Sequence, residues 1–246
     1  MKFTALSLVF FIFSIVPFTI QATTNAKSCL QAKDINGVSE NGFYILYDNQ
    51  YRPFITFCDF NSDKGFIWTL IESFSLNNSM KAKYRKGFFQ DFPTVSSFID
   101  LQEFRLENSV MKSIAGAPGS THFRTTCNFN TNDRKGIQNH LDYLRVSFCN
   151  FPNFFKNVNN NTCTKVDYIN VQGQSCRDCS IPIHDGGNEH HMLANIERSP
   201  DDCDRLKFGG AKGYAFGDYR LLDSKFSCSM ASNSTTNWWI GGADMS

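Results

Sequence analysis

The stretch of this sequence that is richest in chemically active side chains runs from His184 to Cys203 and reads HDGGNEHHMLANIERSPDDC. It holds three histidines, two glutamates and three aspartates around a glycine turn, and such side chains can bind a metal ion. A zinc hydrolase would need His-Glu-x-x-His, which places two imidazoles on one helical face beside a glutamate base. The stretch has Glu189-His190-His191 instead, whose adjacent imidazoles diverge on any regular element. The spacing therefore does not predict a zinc enzyme.

Calcium suits the stretch better than zinc. Ca2+ takes oxygen ligands from carboxylates, amides and backbone carbonyls in irregular loops, and weak sites are useful at extracellular calcium concentrations. The glycine pair allows the backbone to fold tightly around an ion. Oxygen donors are supplied by Asp185, Asn188, Glu189, Glu197, Asp201, Asp202 and Asp204. The alternative is a solvated acidic loop with exposed histidines, and composition alone leaves both interpretations open.

Other catalytic signals are missing from the sequence. It contains no Gly-x-Ser-x-Gly nucleophile elbow and no glycine-rich phosphate loop after a predicted strand. A cysteine nucleophile is not expected in a chain whose thiols form disulfides. The net charge of +1 gives no reason to expect a nucleic acid or an anionic membrane as a partner. We therefore predict a protein that is not an enzyme.

The beginning of the chain predicts export. Lys2 is followed by the uncharged residues 3–22, which end in a small residue, Ala22. One early charge, an apolar core and a small residue at the cleavage position are typical of a secretory signal peptide, which we place at residues 1–22. The alternative is a signal anchor, but the apolar core is shorter than the ~20 residues of a span and Pro17 interrupts it. No other segment is apolar enough to cross a bilayer, so we predict a secreted protein without membrane insertion.

Residues 23–246 form about one domain's length of chain and contain all nine cysteines. In an oxidising compartment these cysteines are expected to form disulfides, and the odd number leaves one thiol free, buried or bonded to another chain. Cys176 and Cys179 have the CxxC spacing of redox enzymes, but no thioredoxin-like strand and helix surround them. Halves of two separate structural disulfides are the favoured interpretation. Three sequons predict N-glycosylation, at Asn77, Asn160 and Asn233.

The elements that position the acidic stretch are mostly strand-like. Residues 29–75 contain two apolar-aromatic runs separated by turn residues and a third run over 66–71, which predicts a hairpin followed by another strand. Residues 98–116 have helical spacing and end in a glycine, so they predict one helix or two short ones.

Two further segments, 121–129 and 143–151, alternate like strands, and each ends in Cys-Asn-Phe. Neighbouring strands with this pattern would allow a disulfide between Cys127 and Cys149. The 25 phenylalanines are scattered instead of spaced as on a helix, which suits an irregular, strand-rich fold packed around aromatic anchors.

The segment 29–71 resembles the opening of a fibrinogen-related domain. Its order is a cysteine, a Gly-x-Tyr strand, a Cys-Asp pair and then Trp-Thr-Leu, although Ile67 stands where the family has a glycine before the tryptophan. In that family the first two cysteines are paired, which implies a disulfide between Cys29 and Cys58. The resemblance implies a single disulfide-rich α+β fibrinogen-like domain over 23–246, irregular, with short strands and few helices.

The resemblance extends further along the chain. The pair Trp238-Trp239 is similar to the paired tryptophans late in the fibrinogen-related domain. Taken together, most of the mature chain looks like fibrinogen-like secreted proteins of cnidarians, including skeletal organic matrix proteins of stony corals. Those proteins imply an extracellular setting and little about a specific activity.

The acidic stretch is similar to the calcium loop of intelectins, which are calcium-dependent lectins with a fibrinogen-like N-terminal part. Their loop reads Asn-x-Glu-His-His and then Glu-x-Ser-Pro-x-x-Cys, and in it a bound Ca2+ chelates the vicinal diol of a glycan. The resemblance implies a Ca2+ site at His190, Glu197 and Glu189. The family's asparagine position is Gly187 in this chain, and Asn188, one place along, is the nearest substitute. This chain departs from the family in a shorter segment between the two motifs and in having no tryptophan aligned with the walls of the lectin pocket. The nearest aromatic substitutes for those walls are Tyr214, Phe216 and Tyr219.

We therefore expect a secreted, non-catalytic recognition protein of lectin type that binds carbohydrate with the help of calcium. Glycans or components of the extracellular matrix are the expected partners. Because weak single sites gain avidity through multivalency, this function also predicts a homo-oligomer. The alternative is a structural component of an extracellular or biomineralising matrix without a glycan pocket, and the near-neutral charge argues mildly against binding at a crystal face.

Overall fold

The computed structural model describes residues 20–94, 99–129, 142–158, 161–184, 191–195, 203, 214–219 and 224–245. Within these residues the chain forms two α-helices and twelve β-strands. The helices are α1 (Cys29–Asn36) and α2 (Asn108–Ala115). The strands are β1 (Ile20–Ala22), β2 (Gly42–Tyr47), β3 (Pro53–Asp59), β4 (Phe66–Ser75), β5 (Glu103–Arg105), β6 (His122–Cys127), β7 (Tyr143–Ser147), β8 (Asn161–Val171), β9 (Gln174–His184), β10 (Leu193–Asn195), β11 (Tyr214–Ala215) and β12 (Thr235–Ala243).

All twelve described strands join in one mixed sheet. Their order is β1-β2-β3-β4-β12-β6-β7-β8-β9-β10-β11, and β5 pairs with β4. β1 runs parallel to β2, and the other pairs are antiparallel. The last strand, β12, lies between β4 and β6 near the centre of the sheet. The fold therefore depends on pairings between segments that are far apart in the sequence.

The predicted α+β fold class is wrong, because the described chain is mainly β. The strands are also not uniformly short, since β8 and β9 each contain 11 residues. The predicted class came from the resemblance to fibrinogen-related domains, and the segment of β12 showed no strand pattern that would have corrected it. β4 is buried at every residue after Phe66, and β12 is buried at every residue before Ala243, so the central part of the sheet is covered on both faces. A strand covered on both faces loses the two-residue alternation by which a half-exposed strand is recognised.

Individual elements were predicted better than the class. The hairpin predicted within 29–75 is formed by β2 and β3, and the third run becomes β4. The helical pattern of 98–116 is confirmed in part, since α2 ends just before Gly116 but residues 103–105 form β5. The two segments that end in Cys-Asn-Phe contain β6 and β7, which pair with each other.

Helix α1 was not expected, and its ends explain why it forms. The Ser28 hydroxyl accepts the backbone N–H of Gln31 at 3.2 Å and so caps the first turn. Gly37 ends the helix in a left-handed conformation at φ 67°. Cys29 lies in the first turn and bonds to Cys58 of β3, which ties the helix to the first hairpin.

Four disulfides are formed, and they confirm some of the predicted pairings. The pairing of Cys29 with Cys58 is confirmed. The halves of the CxxC motif bond to each other instead of belonging to separate disulfides, so that interpretation is wrong. The odd thiol is Cys149, which is free and exposed. The bonded pairs are Cys29–Cys58, Cys127–Cys228, Cys163–Cys203 and Cys176–Cys179.

The predicted bridge between Cys127 and Cys149 is wrong for a geometric reason. β6 and β7 are antiparallel, with His122 opposite Ser147. Cys127 therefore lies at one end of the pair, and Cys149 follows β7 at the other end. The 3-10 turn that follows Phe226 brings Cys228 to Cys127 instead.

Candidate functional site

The four predicted calcium ligands, Asn188, Glu189, His190 and Glu197, lie outside the described residues. The sequon residue Asn160 lies outside them as well. In the parts of the chain that the structure describes, no cluster of three or more His, Cys, Asp and Glu side chains is arranged to hold a metal ion. The described residues nevertheless include both ends of each segment that carries the predicted ligands, and these ends show where the stretch attaches to the sheet.

The segment 185–190 begins and ends at the sheet. It leaves β9 at His184, which is paired with Leu193 of β10. It returns to the described chain at His191, two residues before β10 begins. The segment is therefore a connection between two neighbouring antiparallel strands, at the end of the sheet where β9 stops.

The segment 196–202 is also held at both ends. It leaves β10 at Asn195, which is paired with Tyr214 of β11. It ends at Cys203, which is bonded to Cys163 of β8, and Cys163 is paired with Pro182 of β9. Since Ala194 pairs with Ile183, residues 163, 182, 195 and 214 lie along one row across four neighbouring strands. Neighbouring strands lie about 4.8 Å apart, so this row spans roughly 15 Å.

His191 anchors the end of the first segment in the core. Its side chain is buried, with its ring 4.9 Å from the Phe88 ring and 5.2 Å from the Trp238 ring between centroids. Its Nδ1 donates to the carbonyl oxygen of Met192 at 2.8 Å, because a carbonyl can only accept. Its Nε2 lies 2.5 Å from Oε1 of Glu72. Of the two adjacent histidines, this one is therefore a structural residue.

Glu72 joins His191 to a second buried group. Its Oε2 accepts a hydrogen bond from Nη1 of Arg105, and both side chains are fully buried. Burial alone would raise the pKa of Glu72, but the charges of Arg105 and His191 and their hydrogen bonds hold that pKa below its usual value. Sequence analysis missed this cluster, although a glutamate within the apolar run Trp-Thr-Leu-Ile-Glu-Ser-Phe was a visible signal of a buried, paired charge.

The three aromatic residues predicted as walls of a ligand pocket are placed differently from one another. The backbone of Tyr214 is paired with Asn195 at the row described above. Phe216 is fully buried and packs edge-on against Phe226, with 5.4 Å between ring centroids. Tyr219 is buried and its hydroxyl is bonded to that of Thr236, and burial raises the pKa of this phenol. In this structure Phe216 and Tyr219 belong to the core.

The two described sequons lie close together at one end of the sheet. Asn77 and Asn233 are both exposed. The backbone N–H of Asn77 donates to the carbonyl of Ser232 at 2.9 Å, and that of Leu76 donates to the carbonyl of Ser234 at 2.8 Å. Glycans on these two asparagines would therefore project from adjacent segments.

No protein-family model matches this chain, and no curated protein matches it significantly. Among the described residues, neither helix has the length and apolar character that a transmembrane segment requires. The four disulfides are compatible with an extracellular protein.

Proposed function

We propose that this protein is a secreted, non-catalytic recognition protein of fibrinogen-related type that binds carbohydrate through a calcium ion. The ion coordinates two adjacent hydroxyls of a sugar, and the ring of Tyr214 packs against the apolar face of that sugar. The proposed ligands of the ion are Asn188, Glu189, His190 and Glu197.

One observation carries this proposal. The segments with the proposed ligands start and end at neighbouring strands, and the second segment starts at Asn195, directly opposite Tyr214. His191 and the disulfide of Cys203 fix two of those ends to the core and to β8. Fixed ends reduce the conformational entropy that a loop loses when it closes around an ion. This arrangement supports a preorganised oxygen-rich loop beside an aromatic residue.

Secretion is part of the proposal and has its own support. The proposed signal peptide at residues 1–22 supplies the export route, and disulfides persist in oxidising compartments. Its cleavage would remove β1, which lies at the end of the strand order and pairs only with β2 in the described sheet. The sequon residues Asn77 and Asn233 are exposed, so the folded chain can carry glycans there.

The test is to measure calcium binding by titration calorimetry and glycan binding on an array, with calcium and with chelator. We expect Glu197→Ala to weaken both, because it removes an oxygen ligand. Glu40→Ala is the matched control, since Glu40 is exposed just before β2, and it should bind as the native protein does. Glycan binding that survives the chelator would reject the diol-chelation mechanism.

The burial of Phe216 and Tyr219 favours a second candidate, a structural component of an extracellular or biomineralising matrix. Because both side chains belong to the core, neither can form the wall of a sugar pocket in this structure. A folded, disulfide-bonded protein that binds calcium but no glycan on the array would support this candidate. Such a protein should also be retained on a calcium mineral surface in an adsorption assay, and Glu197→Ala should reduce that retention.

A further inference from the structure

A cleft lies in the half of the sheet that does not contain β9 and β10. It forms where β3 and β5 leave a gap along one edge of β4. β12 occupies one edge of β4 from Phe66 to Ser75. On the opposite edge, β3 is paired with β4 at Cys58 and Asp59, and β5 is paired farther along at 72–74. Between these two pairings the chain diverges from β4 and leaves a cavity of about 450 Å3. This volume lies within the range of about 300–1,000 Å3 that is typical of ligand sites.

Two hydrogen bonds to β4 lie in the gap between β3 and β5. The hydroxyl of Thr56 donates to the carbonyl oxygen of Leu70 at 2.5 Å, where a backbone N–H of β3 would otherwise bond. The backbone N–H of Leu106 donates to the carbonyl oxygen of Ile71 at 3.0 Å. The carbonyl oxygens of Leu70 and Ile71 are therefore hydrogen-bonded although β3 and β5 do not meet along β4.

The floor of the cleft is apolar and only partly covered. Phe54, Ile55 and Ile99 line it and remain partly exposed, although each is a large apolar side chain. Leu106 and Val110 line it from the side of α2. Covering such surface with an apolar side chain gains about 25 cal/mol for each Å2 removed from water.

A charged pair is held in position at the mouth. Asp48 fixes Arg52: its Oδ1 accepts the backbone N–H of Arg52 at 2.9 Å, and its Oδ2 accepts Nε at 2.7 Å. Burial works to raise the pKa of Asp48, but these hydrogen bonds lower it, so the carboxylate stays ionised. Nη2 of Arg52 then reaches Oε2 of Glu107 at 3.3 Å, across the mouth of the cleft. Among the described residues, neither Nη1 of Arg52 nor Oε1 of Glu107 has a hydrogen-bonding partner.

The strand edge beside the cleft is open as well. The ladder between β3 and β4 covers Cys58 and Asp59, and the side chain of Thr56 is bonded to Leu70 of β4. Phe54 and Ile55 therefore have no described strand beside them on that edge. An open edge can accept an added extended strand through backbone hydrogen bonds, while pockets take its alternate side chains.

We propose that this cleft binds an extended peptide segment that carries a large apolar side chain. The side chain fills the cavity between Ile55 of β3 and Val110 of α2, and the peptide backbone lies along the open edge of β3. At the mouth, a peptide carbonyl accepts from Nη1 of Arg52 and a peptide N–H donates to Oε1 of Glu107. A sugar would be a poorer fit, because it offers no large apolar group for the cavity. The proposal does not depend on the calcium loop.

The test is a methyl NMR titration of the full mature protein, with labelled isoleucines. The probe is the blocked pentapeptide acetyl-Ser-Thr-Leu-Thr-Ser-amide. We expect saturable shifts of the Ile55 and Ile99 methyl resonances. The affinity should fall by about five-fold or more, corresponding to about 1 kcal/mol, when serine replaces the central leucine or when the amide after it is N-methylated. Unlike the variants below, these two comparisons use the native protein and do not depend on the folding of a mutant.

Substitutions in the protein test whether the peptide binds at the cleft. Ile55→Thr keeps a β-branched residue in the strand but removes apolar floor, and Glu107→Ala removes the acceptor at the mouth, so each should weaken binding by about five-fold. Ile35→Thr is the matched control, since Ile35 is an exposed isoleucine on α1, and it should bind normally. Absence of saturable shifts up to the solubility limit of the peptide would overturn the proposal. So would equal binding of the serine peptide, or methyl shifts caused by benzene but not by the peptide.

Discussion

At the scale of single residues, two buried arginines organise the interior. Arg105 donates to Glu72 and to the carbonyl oxygens of Lys86, Gly87 and Gln90. The guanidinium of Arg124 is bonded to Asp59 and to Ser62, and it lies 4.8 Å from the ring centroid of Trp68 and 4.6 Å from that of Trp239. Both arginines and both carboxylates are fully buried, so each charge depends on its partner for neutralisation.

Replacing Arg105 by leucine tests this dependence. Arg105→Leu leaves Glu72 buried beside His191 without its guanidinium, so we expect the free energy of unfolding to fall by about 3–5 kcal/mol. Arg52→Leu, which removes a half-exposed arginine from its pairs with Asp48 and Glu107, should lower the free energy of unfolding far less, because solvent screens those pairs. Denaturant unfolding followed by tryptophan fluorescence measures both values. Similar losses in the two variants would contradict the account of the buried pair.

The carboxylate of Asp59 predicts how stability depends on pH. Burial would raise its pKa, but the charge of Arg124 and hydrogen bonds from Ser62 and Arg124 lower it below the unfolded value of about 3.9. Between the folded and unfolded pKa the unfolded chain binds more protons, so stability falls as pH drops through this window. We expect Asp59→Asn to flatten the dependence of unfolding free energy on pH below about pH 4. Asp34→Asn, at an exposed position of α1, should leave the acid limb unchanged.

At the scale of elements, β12 is the strand on which the sheet is built. It is paired with β4 along one edge and with β6 along the other, with a register shift between Trp238 and Trp239. Both tryptophans are fully buried, and the rings of Phe88 and Phe123 pack on Trp238. A glycine pair precedes the last residue of the strand, because neighbouring backbone approaches too closely there for a side chain. A Cβ at position 242 would lie 1.8 Å from the carbonyl oxygen of Gly119.

The glycine before it gives a direct test of this close approach. In Gly241→Ala the added Cβ would lie 2.0 Å from the carbonyl oxygen of Ile67, so backbone must move, and we expect a loss of about 3 kcal/mol. Gly42→Ala is the control, because its Cβ meets the Tyr44 ring at an ordinary 3.6 Å and should change stability by about 1 kcal/mol or less. Thermal unfolding of both variants measures the two changes in stability. A stable Gly241→Ala protein would mean that β4 and β12 are not packed as described.

Elements with a strong local signal were predictable. The hairpin β2–β3, the start of β4 and the end of α2 at Gly116 follow from apolar runs, turn residues and a helix stop. Helix α1 was missed because its eight residues show little amphipathic pattern, and its cap at Ser28 is the clearer signal. The strand β5 was missed because it has only three residues, too few to show a strand pattern. It forms because it pairs with the edge of β4.

At the scale of the whole molecule, disulfides join segments that the sheet brings together. Cys127–Cys228 closes a span of 101 residues and fastens the turn before β12 to the end of β6. Cys176–Cys179 spans three positions within β9. A crosslink stabilises mainly by restricting the unfolded chain, and its effect grows with the length of the closed loop.

This difference predicts unequal costs of removal. Replacing both Cys127 and Cys228 by serine should lower the unfolding free energy by about 4–5 kcal/mol, and the same change at Cys176 and Cys179 by about 2 kcal/mol. Denaturant unfolding of the two double variants compares them. Peptide mapping without reduction should show Cys127 linked to Cys228, and a maleimide should label one thiol, Cys149. Linkage of Cys127 to Cys149 would reject the strand arrangement.

The sequence by itself determined the local features of this protein: the turns and runs of the first hairpin, the helix stop at Gly116, and the presence of one unpaired thiol among nine. It also drew attention to an oxygen-rich stretch, for which calcium binding remains a prediction. Pattern and chemistry carry such information because they act over a few residues.

Only the tertiary structure decided which distant groups meet. His190 and His191 are adjacent and chemically identical, yet the structure buries His191 against Glu72, a residue 119 positions away. Contacts between distant segments also determine three further features. They are the central position of β12, the bonding of Cys127 to Cys228 and the cleft between β3 and β5. The physical reason is that strand order is chosen by the joint burial of both faces of the sheet, a property that no single segment contains.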